Sequence, residues 1–498
     1  MRPASPFVVS PARGVSPVAL RGAFALLLAL LVTAVVDAQP TADAVCRRVV
    51  YVTYPTVPVA AQPPKKEADK KEPDKKEPTK PPEPMWPTDL NGKDIKTVMK
   101  DLEDPDPVNR EFAARSIAAF GPPARKEAVS KLLLKRMNVL VETDPGVRFA
   151  VYSAVGSIPF ENEADNNEAL RILIGVIDNA PSGSSSRYQA VQTIAMFGPR
   201  GEGAILALAE RIAKGDASYE TRRTMAGALG RIAFHETAGP NMKAMVALAD
   251  HYSKDPSAAV RMEALQSLML LGPPWAEVKK KDAKGPPAIK TEDAARIVKF
   301  MKARVGDPTT KPKPTLGLEK DKQVEIWARL VMMRFDPKEI NDDNLDAFAK
   351  HLTTPEVGVK VQALQAIGMI GEAAGKKVDA VARLLSEKNQ PMQLTLVTVQ
   401  TLASMGAGAK PAIKDLKELA TEMNKSIDKM KDEEGKMKID LAKIGIADVD
   451  KKKETENALK AKEYDRKTGE EIVKLIESVI KHIDESKPMS PSETPKKP

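Results

Sequence analysis

The stretch DPDPVNREFAARSIAAFG, residues 104–121, decides the fold. Variants of this phrase return as DPGVRFAVYSAVGSIP from Asp144, DPSAAVRMEALQSLMLLG from Asp255 and TPEVGVKVQALQAIGMIG from Thr354. Alignment on the basic residue of the phrase gives eight copies, 35 to 39 residues apart except for one interval of 64 residues. The anchor residues are Arg110, Arg148, Arg187, Arg222, Arg261, Glu325, Lys360 and Thr395. Repetition at this period predicts stacked helical units.

Apolar residues, with one threonine, occupy the third, seventh and tenth positions after each anchor. The third positions are Ala113, Val151, Ala190, Met225, Ala264, Ala328, Ala363 and Thr398. The seventh are Ile117, Val155, Ile194, Leu229, Leu268, Met332, Ile367 and Leu402, and the tenth are Phe120, Ile158, Phe197, Ile232, Leu271, Phe335, Ile370 and Met405. These offsets lie on one face of an α-helix.

Glycine follows at the eleventh position of five copies, as Gly121, Gly198, Gly272, Gly371 and Gly406. It predicts the end of the helix, because glycine tolerates a left-handed backbone. A second amphipathic segment comes next, at 124–141, 168–178, 203–214, 242–253, 291–305, 344–352 and 377–386. One helix pair cannot bury its apolar face alone, whereas stacked neighbours can. We therefore predict an all-α fold, a right-handed α-solenoid of about eight helix pairs.

The pattern resembles the HEAT-repeat family. The resemblance rests on the Asp-Pro start, the Val-Arg pairs (Val147-Arg148 and Val260-Arg261) and the phrases at Val151–Gly156 and Ala363–Gly368. It covers about residues 90 to 410. Such motifs are specific for the fold and unspecific for function.

The resemblance implies a structural role for the basic anchors. In that family the arginine bonds an aspartate of a neighbouring turn, and Asp104, Asp144 and Asp255 are placed for such a ladder. Phosphate binding by the anchors is the competing interpretation. The resemblance also implies that a partner binds the face formed by the second helices.

Residues 1–38 have the composition of a secretory leader. An apolar run of 14 residues, 23–36, follows basic residues, and it is short for a membrane span, which needs about 20 residues. Val36 and Ala38 supply small residues before Gln39, as at a cleavage site. We predict export to the periplasm or cell envelope, with an uncleaved N-terminal anchor as the alternative.

Residues 39–87 read as a disordered linker rich in Pro, Lys and Glu. Lys65–Lys80 repeats two lysines and an acid with a five-residue period, and such a composition cannot bury apolar surface. Residues 485–498 form a tail of similar composition. Cys46 is the only cysteine, so no disulfide forms within the chain.

The remaining chain divides at its irregular places. Residues 88–272 hold repeats 1–5 and residues 323–410 hold repeats 6–8. Between them, 273–322 reads as an insertion of two basic, proline-rich loops around one helix. Insertions in repeat proteins often form the binding face. The candidate anion contacts there are Lys279, Lys280, Lys281, Lys311 and Lys313.

A heptad pattern starts at Ile413. Apolar residues then recur at steps of three and four as far as Ile444, with Glu434 among them. A second amphipathic helix follows up to Ile483. We interpret residues 411–484 as a charged helical hairpin that caps the array. A coiled coil that joins two copies through 413–484 is the alternative.

No motif in the sequence indicates catalysis, a cofactor or a metal. The four histidines are scattered and lack metal-ligand spacing, and there is no glycine-rich phosphate loop. The net charge of +9 comes from interleaved signs, 77 basic against 68 acidic residues. We predict a non-enzymatic scaffold for protein–protein interaction that takes no small-molecule substrate. The alternatives are a polyanion-binding protein that uses the basic loops, and an enzyme whose groove site shows no motif.

We expect the protein in the envelope fraction of its native cells to begin at Gln39, because cleavage would remove the apolar run. N-terminal sequencing checks this. An Ala38→Arg variant should retain its leader, since a large charged residue does not suit the cleavage position. Wild-type protein that starts at Met1 in the cytosolic fraction would contradict the export prediction.

Overall fold

The computed structural model describes residues 86–235, 239–273, 289–306, 317–387, 390–444 and 448–487. The predicted leader, most of the predicted linker, Cys46 and the lysines of the basic loops lie outside these ranges. Helix α1 (Ile95–Asp101) precedes the pairs. The first helices are α2 (Pro107–Ile117), α4 (Pro145–Ser157), α6 (Ser185–Phe197), α8 (Tyr219–Ile232), α10 (Ala258–Leu271), α12 (Lys322–Phe335), α14 (Val357–Ile370) and α16 (Met392–Ser404). The second helices are α3 (Glu127–Met137), α5 (Glu163–Asn179), α7 (Ile205–Lys214), α9 (Met242–Lys254), α11 (Thr291–Lys302), α13 (Asp342–His351), α15 (Val378–Ala382) and α17 (Ile413–Lys443), and α18 (Val449–Glu485) comes last.

The first helices form one layer and the second helices another. Each first helix packs against the neighbouring first helices and against the helix that precedes it in the chain, which from the second pair onwards is the second helix of the preceding pair. The predicted apolar columns line the space between the layers, because all their members are at most 5% exposed. This arrangement confirms the prediction of an all-α helical-repeat solenoid. Two antiparallel hairpins of two-residue strands, β1 (Asp89–Leu90) with β2 (Lys93–Asp94) and β3 (Phe234–His235) with β4 (Gly239–Pro240), are minor additions that the sequence did not indicate.

Short polar side chains start the first helices. The Asp106, Asp144 and Ser218 side chains accept hydrogen bonds from the backbone N–H groups of the first turns of α2, α4 and α8. Such caps satisfy donors that have no partner inside the helix. The recurring Asp, Ser and Asp-Pro of the repeat phrase therefore mark helix starts.

Glycine ends four first helices as predicted. Gly121, Gly198, Gly371 and Gly406 have φ values between +51° and +69°, a region that side chains disfavour. Gly272 departs from the prediction, since its φ is −65°. The predicted second segment of the first repeat also ends early, at Met137. There the chain leaves the helix at Asn138, whose side chain accepts a hydrogen bond from the Leu140 N–H group.

The anchor arginines tie successive pairs together. Arg110 donates two hydrogen bonds of 2.8 Å to the Glu142 carboxylate, which belongs to the start of the next pair. Its Nη1 atom also donates to the carbonyls of Asp104 and Pro105 in its own turn. Each rung therefore joins a first helix, the turn before it and the turn before the following first helix.

The same geometry recurs along the array. Arg187 pairs with Asp216 at 2.6 Å, Arg222 with Asp255 at 2.7 Å, Arg261 with Glu319 at 2.6 Å and Lys360 with Glu387 at 2.8 Å. We call this series the inter-repeat ladder. Burial alone would raise the pKa of Glu142 and of Asp216. Hydrogen bonds from arginine side chains and backbone N–H groups outweigh it and hold both pKa values below their ordinary range.

The ladder differs from the prediction in its acidic partners. Asp255 is a partner as expected, but Asp104 and Asp144 are not, because their carboxylates accept backbone N–H groups of nearby turns instead. Arg148 donates to the carbonyls of Glu142 and Thr143, and it pairs with no carboxylate among the described residues. Spacing alone could not tell a capping aspartate from a ladder acid.

The sixth rung is inverted in charge. Glu325 stands at the anchor position, and its carboxylate lies 3.4 Å from His351 Nε2 and 2.8 Å from Arg329 Nη2. Arg329 lies one turn further along the same helix, and His351 ends the second helix of the same pair. The acidic anchor therefore keeps polar contacts within the sixth pair.

The long interval between the fifth and sixth anchors contains a regular second helix. Helix α11 packs against α9 before it and against α12 after it, as a second helix of the fifth pair must. Glu319 follows it and serves as the ladder acid for Arg261. Helix α11 is therefore the helix predicted within 273–322, and it serves as the second helix of the fifth pair; most of the two predicted loops lies outside the described residues.

Helices α17 and α18 form the predicted hairpin. Lys431–Glu470 and Lys438–Glu463 pair in opposite chain directions, so the helices are antiparallel. All heptad positions of α17 are buried or half-buried, and Glu434 among them pairs with Arg466. Helix α18 also packs against α16. It takes the place of a ninth first helix and covers the last pair, as the cap interpretation predicts.

Glycines let the first helices approach each other closely. A Cβ on Gly230 would lie 2.6 Å from the Ser267 Cβ and 3.0 Å from its Cα, and one on Gly156 would lie 3.0 Å from the Met196 Cβ. Gly368 occupies the same repeat position against Thr401. The glycine of the repeat phrase therefore sets the spacing within the first-helix layer.

We expect Gly230→Ala to destabilise the fold by about 1–3 kcal/mol, since the new methyl group would push against the α10 backbone. Gly435→Ala is the matched control. Gly435 lies inside α17 with nothing within 4 Å of an added Cβ, so alanine should stabilise by about 0.5–1 kcal/mol. Urea unfolding measures both. Equal effects of the two substitutions would contradict the close-packing account.

We expect Arg187→Ala to destabilise the protein by about 3–5 kcal/mol, because it leaves the buried Asp216 carboxylate without its cation. The exposed Arg171–Glu168 pair is the control, and Arg171→Ala should change stability little. Since the Asp216 pKa is lowered in the folded state, the wild-type rung contributes at neutral pH. That contribution is lost as the pH falls below the ordinary carboxyl range. If the ladder did not contribute to stability, Arg187→Ala and the wild type would unfold at the same acid midpoint.

Candidate interaction surface

The side of the first helices that faces away from the second helices is the outward face of the first-helix layer. The first, fifth and ninth positions after each anchor lie on it, opposite to the core columns, because successive helical residues are about 100° apart. The core columns of the repeat and its outward positions are therefore different residues.

This outward face is almost free of charge in the last four pairs. Helices α14 (14 residues) and α16 (13 residues) contain a single charged residue, Lys360, in a chain that is 29% charged. In α10 the two charged residues, Arg261 and Glu263, are buried and paired with Glu319 and Arg223. We call the outward positions of α10, α12, α14 and α16 the first-helix groove. They are Met262, Gln266, Leu270, Ile326, Leu330, Arg334, Val361, Gln365, Met369, Leu396, Gln400 and Ser404.

The first-helix groove is covered at α12. Ile326 and Leu330 occupy outward positions and are nevertheless only 1% exposed. Helix α12 packs against α10 and α14 on its two flanks, while α11 and α13 lie on its core side. The half-buried groove positions therefore belong to the flanking helices, among them Gln266, Val361 and Gln365.

Glutamines supply most of the polar groups of the groove. Gln266, Gln365 and Gln400 occupy the same repeat position and are each half-buried. The Oε1 atom of the neighbouring Gln362 is buried and has no hydrogen-bond partner among the described residues. Each amide can donate and accept. The groove thus offers neutral hydrogen-bonding groups on an apolar floor.

The outward face of the first three pairs is different. Phe112 is 42% exposed, Phe149 36% and Met196 42%, and Tyr188 lies half-buried in the same layer. We call these four residues the aromatic patch. The Arg115 guanidinium lies 6.0 Å from the centre of the Phe149 ring. Helix α8, which carries Arg223 and Arg231 on its outward side, separates this patch from the groove.

The second-helix face, where the family resemblance places the partner, carries many charged residues. Ion pairs link neighbouring pairs across it: Lys131–Asp165, Lys302–Glu339, Lys376–Asp342 and Lys377–Asp346. Leu206 is a 54% exposed exception. Solvated ion pairs of this kind are typical of an ordinary protein surface. The first-helix face is therefore the better candidate for binding a protein.

The residues that the sequence singled out do not gather into one site. The anchors are spread along the ladder, and their charged groups are engaged with carboxylates or carbonyls inside the array. Lys279, Lys280, Lys281, Lys311 and Lys313 lie outside the described residues. His251 and His351 sit beside ladder residues, and burial lowers the pKa of His251. Among the described residues no cluster of three or more His, Cys, Asp or Glu could hold a metal ion.

The groove itself escaped the sequence prediction, although its signal is present in the alignment. The phrases ALQSL, ALQAI and TVQTL place glutamine five residues after Arg261, Lys360 and Thr395. The apolar character of the core columns predicts their burial. The outward positions of α14 and α16 instead lack the charge that a solvent-facing helix normally carries.

No helix in the described part of the chain combines the length and apolar character that crossing a bilayer requires. The apolar run of the predicted leader falls outside that part.

Comparisons with known proteins give neither a family nor a named relative. No protein-family model matches the chain, and no curated protein matches it. Among solved structures, an engineered protein shares 16% identity, with 79% of this chain and 89% of that protein covered and a TM-score of 0.35. The Escherichia coli protein YibA shares 16% identity over 64% of this chain and 92% of its own, with a TM-score of 0.36. The karyopherin Kap121p, solved with the extreme C-terminus of the phosphatase Cdc14p, shares 12% identity at a TM-score of 0.39. It is matched over 77% of this chain and 45% of its own. Likeness at this level carries no inference about function.

Proposed function

We propose that this protein is an exported, non-enzymatic scaffold of the HEAT-repeat type, and that its first-helix groove binds a partner protein. The observation that carries the proposal is the absence of charge along α14 and α16 outside Lys360. The fold does not require an uncharged outward face, because a helix side that faces away from the core normally carries charged residues. The scaffold, on this proposal, acts by holding another chain.

Interface chemistry supports this use of the groove. The centres of protein interfaces are depleted in charged residues and enriched in methionine, which adapts its shape to different partners. Met262 and Met369 lie in the groove. A charged ligand would lose its hydration against half-buried apolar side chains such as Leu270 and Val361, which is costly, and Arg334 is the one charged residue among the groove positions. The groove therefore favours an uncharged protein segment over a nucleic acid or an acidic polysaccharide.

The location of the scaffold is argued from the leader. An apolar run that is followed by the small residues Val36 and Ala38 is typical of exported proteins. The charged linker would then separate the repeat array from whatever holds the N-terminus. This part of the proposal rests on sequence and is tested separately, by the N-terminal sequencing described above.

We expect a photo-crosslinking amino acid at Gln365 or Gln400 to capture a discrete protein in living cells, since both side chains lie in the groove. The control position is Lys350, an exposed residue of the second helix α13. Crosslinking at Lys350 should give no such product. Mass spectrometry identifies what is captured at each position.

Charge in the groove should abolish the capture. We expect Gln365→Glu together with Gln400→Glu to lower the crosslinked yield from a probe at Val361 at least tenfold. Burying two unpaired carboxylates against an apolar partner is unfavourable. Lys350→Glu is the matched surface change and should leave the yield unaltered, and thermal melting verifies that all variants fold. Equal capture from the groove and from Lys350, or capture that survives the double variant, would sink the proposal.

A further inference from the structure

We propose that the uncharged segment Val49–Pro64 of this chain docks on the aromatic patch of the same molecule. The segment lies outside the described residues, and the patch lies on the first three pairs. This inference does not depend on the first-helix groove. It assigns an occupant to a second surface.

The segment has the composition of a chain that buries itself. Its sequence is VVYVTYPTVPVAAQPP, with five valines, two tyrosines and no charge. Linkers that remain solvated are poor in β-branched and aromatic residues. The neighbouring stretch Lys65–Lys80 fits that description, but Val49–Pro64 does not. An apolar surface within reach is therefore the natural environment for it.

The aromatic patch has the matching chemistry. Phe112, Phe149 and Met196 each expose more than a third of their surface, and they share one face of the first-helix layer. Glu111 neutralises the nearby Arg115 in an ion pair of 2.6 Å. An uncharged segment can cover the patch without burying an unpaired charge, whereas an acidic or basic segment could not.

The chain enters the array at α2, the first of the three helices that carry the patch. Trp86 lies against the turn that ends α2, because a Cβ on Gly121 would overlap the Trp86 indole ring. Helices of one layer are about 8–10 Å apart, so the patch on α2, α4 and α6 extends for about 20 Å.

The connecting length places the patch within reach of the segment. Residues 65–85 separate the segment from Trp86. These twenty-one residues include five prolines and many charges, so they span up to about 65 Å as an extended polyproline-type chain, which exceeds the length of the patch. Tethering at this length gives an effective concentration of the order of millimolar, and even a weak contact is then populated.

The test uses the chain from Gln39 to the C-terminus with a photo-crosslinking amino acid in place of Tyr54. We expect crosslinks within one molecule to peptides that contain Phe112 or Phe149, with a yield that does not change over a tenfold dilution. Phe112→Ser together with Phe149→Ser should lower that yield at least tenfold. Leu206→Ser, on the second-helix face, is the matched control and should not change it.

A second variant keeps the test independent of folding. Val52→Lys together with Val57→Lys alters only the segment, so it cannot unfold the array through lost core packing, and it should reduce the crosslink to the same degree. The inference is overturned by crosslinks spread over the whole array, by crosslinks to α10–α16, or by products that join two chains and vanish on dilution. Capture of a partner at Gln365 remains a separate result, so either idea can fail alone.

Discussion

Each helix pair in this protein relies on the next pair to bury its apolar face, and the rest of the structure follows from that dependence. The core columns of one pair form half of a core that its neighbour completes. The inter-repeat ladder sets the register of that contact, because Arg110 reaches its own turn and Glu142 of the next pair at once. Gly156, Gly230 and Gly368 set how closely the first helices can approach. A protein with a single closed core would need neither the inter-repeat ladder nor the close-packing glycines.

Because each pair depends on a neighbour, the array has an uncovered end at each terminus. At the C-terminal end, a helix in the position of a first helix covers the last pair. Helix α18 lies where a ninth first helix would lie and buries Ile476 and Ile483 against the array and α17. The heptad positions of α17 thereby pack against α18 of the same chain. The hairpin therefore caps the C-terminal end of the array.

Because the core columns and the ladder account for stability, the outward columns can change without unfolding the array. That freedom explains how the outward face differs along one molecule. It carries Phe149 on α4, the ion pair of Arg223 with Glu263 between α8 and α10, and almost no charge on α14 and α16. A single closed core could not separate stability from surface chemistry so completely. Two distinct binding surfaces on one layer are compatible with this organisation.

The sequence by itself determined the helix pairs, their number and their buried columns, since helical periodicity and capping are local and recur in every copy. It also indicated the C-terminal hairpin, through the change to a heptad at Ile413. Only the tertiary structure decided which acid completes each rung, because Glu142 and Glu319 are brought to Arg110 and Arg261 across a turn whose length varies. It likewise decided that ion pairs link neighbouring pairs across the second-helix face, whereas the outward positions of α14 and α16 carry no charge. Those properties depend on how neighbouring pairs pack against each other, which the sequence of a single repeat does not specify.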